Sequence, residues 1–175
     1  MMSRLLVLCL LTLTACVAPA PQARIRISTG ERLVVNLRDG RVEGSGSKLV
    51  NFSVARFMVN AQNKNGIYDL GLHFTEEVEL ASIRVEDVTD DKSVLLMLDE
   101  APVLSKGVWH KTTEPVDFNA ESMKWVHDID DSFRVYAFYI TLKDGQKITL
   151  HQAAVYLGFI KGGMMQVLSP DKNQP

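Results

Sequence analysis

The run Asp128-Ile129-Asp130-Asp131-Ser132 sets side-chain oxygens at alternate positions, as a calcium loop begins. Such a loop then needs a glycine for its sharp turn and, further on, a bidentate glutamate; here those positions hold Phe133 and Tyr139. Asp128, Asp130 and Asp131 stand as metal candidates in a pattern that departs from the loop, and the expectation is a solvated acidic turn ahead of a strand. Glu86, Asp87, Asp90 and Asp91 form a second acidic loop, which would matter for a cation only if the fold brought both to one end of the molecule. The histidines, His73, His110, His127 and His151, are scattered and show no H-x-H or H-E-x-x-H spacing. Met164-Met165 suggests soft-metal chemistry, but adjacent residues on a strand point to opposite faces. There is no G-x-S-x-G elbow, P-loop or dinucleotide fingerprint, and Gly44-Ser45-Gly46-Ser47 lacks the following helix that a phosphate cradle requires. A Ser-His-Asp triad built from separate loops is defined by geometry, which spacing does not show. The large aromatics Trp109 and Trp125, with Tyr136 and Phe138 on one strand face, are the candidates for recognising a partner.

The first residues carry a different kind of information. Met1 to Thr14 holds one cation, Arg4, an apolar run from Leu5 to Leu13 and no acid, the layout of a secretory leader. The run is too short to span a bilayer, which takes about 20 apolar residues. Leu13-Thr14-Ala15-Cys16 resembles the lipobox of bacterial lipoprotein precursors: a branched apolar residue, two small ones, then cysteine. The resemblance covers the first sixteen residues. It implies cleavage before Cys16, a diacylglyceryl group on its sulfur and often an acyl chain on its new α-amine. It also implies anchoring in the cell envelope, and Val17 in place of aspartate after the cysteine implies the periplasmic face of the outer membrane. Each buried methylene contributes ~0.8 kcal/mol, so two or three chains hold a protein stably where one does not.

Residues 1–15 are thus expected to be a signal peptide, and residues 16–23 a lipidated cysteine with a short Pro-containing tether. Residues 24–168 are expected to form one domain and residues 169–175 a disordered tail. Removing residues 1–15 leaves 18 cations against 21 acids, a net charge of −3, with no clustered basic footprint for nucleic acid. Cys9 leaves with the leader and Cys16 carries lipid, so the domain has neither disulfides nor a cysteine nucleophile.

The period from Arg24 onward is two. Ile25 and Ile27 alternate with arginines; Leu33, Val35 and Leu37 follow, with Thr29-Gly30 and Asp39-Gly40 as turns and Gly44-Ser45-Gly46-Ser47 as a flexible break. Between Lys48 and Asn60 the apolar phase changes, which predicts a β-bulge near Ala55-Arg56 or a change of sheet. Tyr68, Leu70, Leu72 and Phe74 make a one-faced strand, Ile83 and Val85 lie on the next, and Val94–Leu98 reads as an interior strand. Ala101 to Ser132 reads as loops with one or two short strands. Asp144-Gly145 predicts a type I′ hairpin with Lys143 facing Gln146. That register puts Phe133, Val135, Ala137 and Tyr139 on the core face with Ile148 and Leu150, and leaves Tyr136, Phe138, Ile140 and Leu142 on a face too apolar for open water. Gly162-Gly163 offers a last turn.

Eight or nine short strands without a periodic helix predict an all-β, antiparallel β-sandwich, immunoglobulin-like or related, with a small β-barrel as the alternative. The expected function is a non-enzymatic binding or assembly module of the envelope, held to the membrane by its lipid and meeting a protein partner through strand edges or an aromatic patch. No cofactor and no nucleic acid is expected. Binding of a small ligand or metal ion through the acidic loops is the alternative, and a hydrolase with a loop-built site stands third.

Overall fold

The computed structural model describes residues 21–38, 40–60, 63–120 and 133–155. Cys16, Trp125, Asp128, Asp130, Asp131, the Met164-Met165 pair and residues 169–175 lie outside them. The ten strands are β1 (Gln22–Arg26), β2 (Arg32–Asn36), β3 (Val50–Asn60), β4 (Asn65–Phe74), β5 (Leu80–Asp87), β6 (Val94–Asp99), β7 (Val108–Thr112), β8 (Val116–Asp117), β9 (Phe133–Leu142) and β10 (Lys147–Val155). The chain is an all-β, antiparallel sandwich, and no sheet among the described residues closes into a barrel.

One sheet runs β10-β9-β5-β6 and faces a second, β3-β4-β7, whose central strand also pairs β8. Alternation along β4 points Tyr68, Leu70, Leu72 and Phe74 into the space between them, as the sequence predicts, and all four are buried. Ile83 and Val85 of β5 meet them there with Phe138, Ile140 and Leu142 of β9. Tyr68 is the hub: its ring lies 4.9 Å from that of Phe57 and 6.0 Å from Tyr136, edge-on in the second case.

A third layer covers the back of the β10-β9-β5-β6 sheet. The β1–β2 hairpin lays Leu33 and Val35, with Ile27 and Val42 nearby, on Val135, Ala137 and Ala153. β9 is therefore buried on both faces, which is why its sequence is apolar on both. Gly40 seats this layer. Its φ of +69° is open to glycine, and a Cβ there would come within 2.2 Å of the Ala153 carbonyl oxygen.

Three expectations about register change. The β9–β10 turn is a three-residue loop: Leu142 N–H donates to the Gln146 carbonyl, and of the turn residues Gly145 alone has positive φ, +89°. This is a type I turn closed by a glycine bulge rather than type I′. The pairing moves by one residue, Ile148 facing Ile140 and Leu150 facing Phe138, and a one-residue slip exchanges faces. The main core therefore takes Tyr136, Phe138, Ile140, Ile148 and Leu150, while Val135 and Ala137 turn to the third layer. The bulge in β3 lies between Val50 and Phe52, at Asn51 and not near Ala55. Third, Val94–Leu98 is not an interior strand among the described residues: β6 ends its sheet there, with Leu95 and Leu98 about half exposed.

Candidate functional site

The acidic loop after β5 is already neutralised from within the fold. Arg134, buried on β9, donates from Nε to Asp87 Oδ2 at 2.9 Å and from Nη2 to Asp90 Oδ2 at 2.7 Å. Asp87 Oδ1 accepts from the Thr89 N–H and hydroxyl, at 3.0 and 2.7 Å, and Glu86 accepts from Arg84 Nε at 2.8 Å. Burial works against the Arg134 charge, but the two carboxylates more than offset it and hold its pKa above the usual arginine value. A cation entering here would have to displace a guanidinium. No group of three or more metal-type ligands occurs among the described residues.

The second polar region is a pair of clefts, about 190 and 440 Å³, that share Ser45 and His151. Gly44-Ser45-Gly46-Ser47, expected as a flexible break, is tied down here. The Ser45 hydroxyl accepts from the His151 N–H at 2.6 Å and donates to its carbonyl at 3.0 Å. It thus stands in for a neighbouring strand on the outer edge of β10, and Gly40 does the same one turn away by accepting from Ala153 N–H at 3.1 Å. The hydroxyl proton is committed to a carbonyl and not to the imidazole, so Ser45 and His151 do not form a nucleophile–base pair. Burial pushes the His151 pKa down, partly countered by Glu31 across the larger cleft. His110 pairs instead with Asp69 on the exposed face of the β3-β4-β7 sheet.

The aromatic candidates divide differently from the expectation. Trp109, Tyr136 and Phe138 are wholly buried, so none of them presents a recognition surface. Trp109 donates its indole N–H to Asp99 Oδ2 at 2.9 Å, which satisfies the one polar group that burial would orphan. The physical reason for the correction is the β9–β10 register, which turns the Tyr136/Phe138 face inward, and the β4–β7 pairing, which sets Trp109 beside Leu72.

What the surface does offer is an edge. On one side of the sandwich the β3 and β10 margins are bridged, Ser53 Oγ donating to Gln152 Oε1 at 3.1 Å. On the other side β6 and β7 are, among the described residues, the outermost strands of their sheets, joined at the end of β6 by Asp99, which accepts from Trp109 Nε1 at 2.9 Å and lies 3.6 Å from Lys111 Nζ. β7 exposes His110, Lys111 and Thr112; β6 exposes Leu95 at 54 % and Leu98 at 50 %. Both leucines lie on the back of the sheet, Leu98 opposite Arg84 and Leu95 opposite Glu86, beyond the part that the β1–β2 hairpin covers. Asp90, Asp91 and Lys92 precede the apolar run and Asp99 and Glu100 end it, so the open edge is a window of five residues, Val94–Leu98. Sequence reasoning missed this window, although a short apolar run bracketed by charges is how natural edge strands are written.

No family model, curated protein or solved structure matches the chain. Among the described residues no helix is long and apolar enough to cross a membrane.

Proposed function

We propose that this chain is a lipid-anchored protein of the bacterial cell envelope, held by diacylglyceryl-Cys16 at the periplasmic face of the outer membrane. There it works as a non-enzymatic binding or assembly module. Its partner is a protein that adds an extended segment to β6. Main-chain hydrogen bonds supply affinity in such strand addition, and alternate side chains supply specificity. With Trp109, Tyr136 and Phe138 buried, the strand edge is the one of the two routes that the described residues favour. The observation that carries this reading is the apolar outer edge of β6, which no other strand pairs among the described residues and where Leu95 and Leu98 are about half exposed, in a molecule that covers its β10 edge.

The test is site-specific crosslinking in cells. A photoreactive residue at Leu98 is expected to trap a defined envelope protein, and one at Lys147, on the opposite edge, is not. Leu98→Lys is expected to cut the yield of that adduct from a probe at Leu95 at least tenfold while leaving the thermal midpoint unchanged. Equal trapping at both edges, or none at Leu98, sinks the edge reading. Lipid labelling that persists in Cys16→Ser sinks the anchor separately.

A further inference from the structure

The outer face of the β1–β2 hairpin is an arginine face. The pairing of the two strands sets Ile25 opposite Leu33 and Ala23 opposite Val35, the apolar side that packs on the molecule. The other side carries Gln22, Arg24 and Arg26 from β1 and Arg32, Val34 and Asn36 from β2, and all three arginines are exposed. Arg26 stands directly opposite Arg32. Like charges facing one another across a strand pair are unfavourable unless something neutralises them, and among the described residues no carboxylate forms an ion pair with Arg24, Arg26 or Arg32. The nearby acids are turned to other uses: Glu43 accepts from Gln22 at 2.7 Å, and Glu31 lines the cleft toward His151. Arg38 is also exposed, beside the point where the chain enters the fold, since Leu37 N–H donates to the Pro21 carbonyl at 2.9 Å.

Charge is distributed unevenly on a larger scale too. Residues 24–43 contain five arginines, Arg24, Arg26, Arg32, Arg38 and Arg41, against Glu31, Asp39 and Glu43, a net +2, whereas residues 44–175 carry 13 cations against 18 acids, a net −5. The arginine face is thus the basic end of an otherwise acidic molecule, and it lies at the end nearest Cys16. Five residues, Val17–Pro21, separate that cysteine from β1, a reach of at most about 22 Å.

We propose that the arginine face of β1–β2 lies on the headgroups of anionic phospholipids. The guanidinium groups take phosphate oxygens as fork-shaped donors, and the acidic remainder of the domain is repelled from the same surface. The lipid chains fix the protein to the bilayer, while the arginines fix which way up it sits. Only the nearness of the bilayer rests on the reading of Cys16; the charge complementarity does not.

The test uses the chain from Cys16 onward carrying Cys16→Ser, so that no acyl chain contributes. Co-sedimentation is measured with vesicles of phosphatidylcholine alone and of equal phosphatidylcholine and phosphatidylglycerol. Binding is expected with the anionic vesicles only and is expected to weaken with added salt. Each arginine near an anionic surface contributes about a fivefold factor, so Arg24→Gln/Arg26→Gln/Arg32→Gln together should weaken binding roughly 100-fold. Arg56→Gln, on the exposed face of β3, should leave it within about twofold. The triple variant should melt no lower than the parent, because it removes an opposed pair. Equal binding to both vesicles, or retained binding by the triple variant, overturns the proposal. Inorganic phosphate that saturates the protein and displaces the vesicles at constant ionic strength overturns it in favour of a free-phosphate site. Lipid labelling of the parent and of Cys16→Ser in cells bears on the anchor alone, and vesicle binding on the arginine face, so the two can fail separately.

Discussion

At the scale of single residues, the charges at the end of β5 are met by specific partners. Arg134 gathers Asp87 and Asp90, and Arg84 takes Glu86 while lying 5.2 Å from the Tyr139 ring centroid. Burial raises the Tyr139 pKa, with Glu86 adding to it, so its phenol stays neutral throughout the ordinary pH range. His151 is the group that titrates with consequence. Because burial disfavours its imidazolium, its folded-state pKa lies below the ordinary 6.5, and as pH falls the unfolded chain takes up the proton first. The neutral ring's contribution is whole above 6.5, is lost as pH drops from there, and the loss ends below the folded-state pKa. Urea midpoints at about pH 7.5 and about pH 5.5 should therefore fall further for the parent than for His151→Gln, where that slope is absent. Parallel falls in the two proteins would show that His151 does not carry the dependence.

At the scale of elements, the type I′ geometry expected at Asp144-Gly145 occurs at Lys106-Gly107 instead. Lys106-Gly107 joins Ser105 to Val108 by reciprocal hydrogen bonds of 2.9 and 3.0 Å, with φ of +52° and +76°, which makes it a type I′ turn. Asp144-Gly145, the stronger pattern on paper, closes a three-residue loop instead. A lysine in the left-handed region carries a steric cost of about 1 kcal/mol that asparagine mostly avoids, so Lys106→Asn should raise stability by roughly 0.5–1 kcal/mol. Gly145→Ala should lower stability by about 1 kcal/mol through backbone conformation alone, since no atom lies within 4 Å of the added Cβ. Chemical denaturation checks both, and equal effects of opposite sign to these would refute the turn assignments. These turns also show what was legible. Period two and the one-faced β4 follow from local alternation, and they gave the sandwich. An Asp-Gly pair is compatible with two loop lengths, so local chemistry left the β9–β10 register, and with it the inward turn of Tyr136 and Phe138, undetermined. Pairing partners are set by distant residues, which is why the edge at Leu95 and Leu98 was hidden. So was the neutralisation of Asp87 by Arg134, 47 positions along the chain.

At the scale of the molecule, β9 and β10 are shared property. Their alternate residues enter two separate cores, Phe138, Ile140 and Leu150 the main one and Val135, Ala137 and Ala153 the one beneath β1–β2. A layer that hung on by its own hairpin would fray alone, because a two-stranded sheet is marginal in water. This layer instead shares strands with the sandwich and is fastened by Ser28 N–H to the Val88 carbonyl at 3.0 Å, besides the Gly40 and Ser45 contacts to β10. Loosening it should therefore loosen everything. Val35 is wholly buried in the outer core, and Val35→Ala removes two methyl groups at a cost of about 1.5–3 kcal/mol. Trp109 lies wholly buried in the other core and reports on the sandwich by fluorescence once Trp125 is replaced by phenylalanine. In that background Val35→Ala should shift the Trp109 transition and the far-ultraviolet circular dichroism transition by the same amount, as one cooperative unit does. If the Trp109 midpoint stayed where it was while an earlier circular dichroism phase appeared, the arginine-bearing layer would be an independent flap, free to rest on a membrane without holding the orientation of the β6 edge.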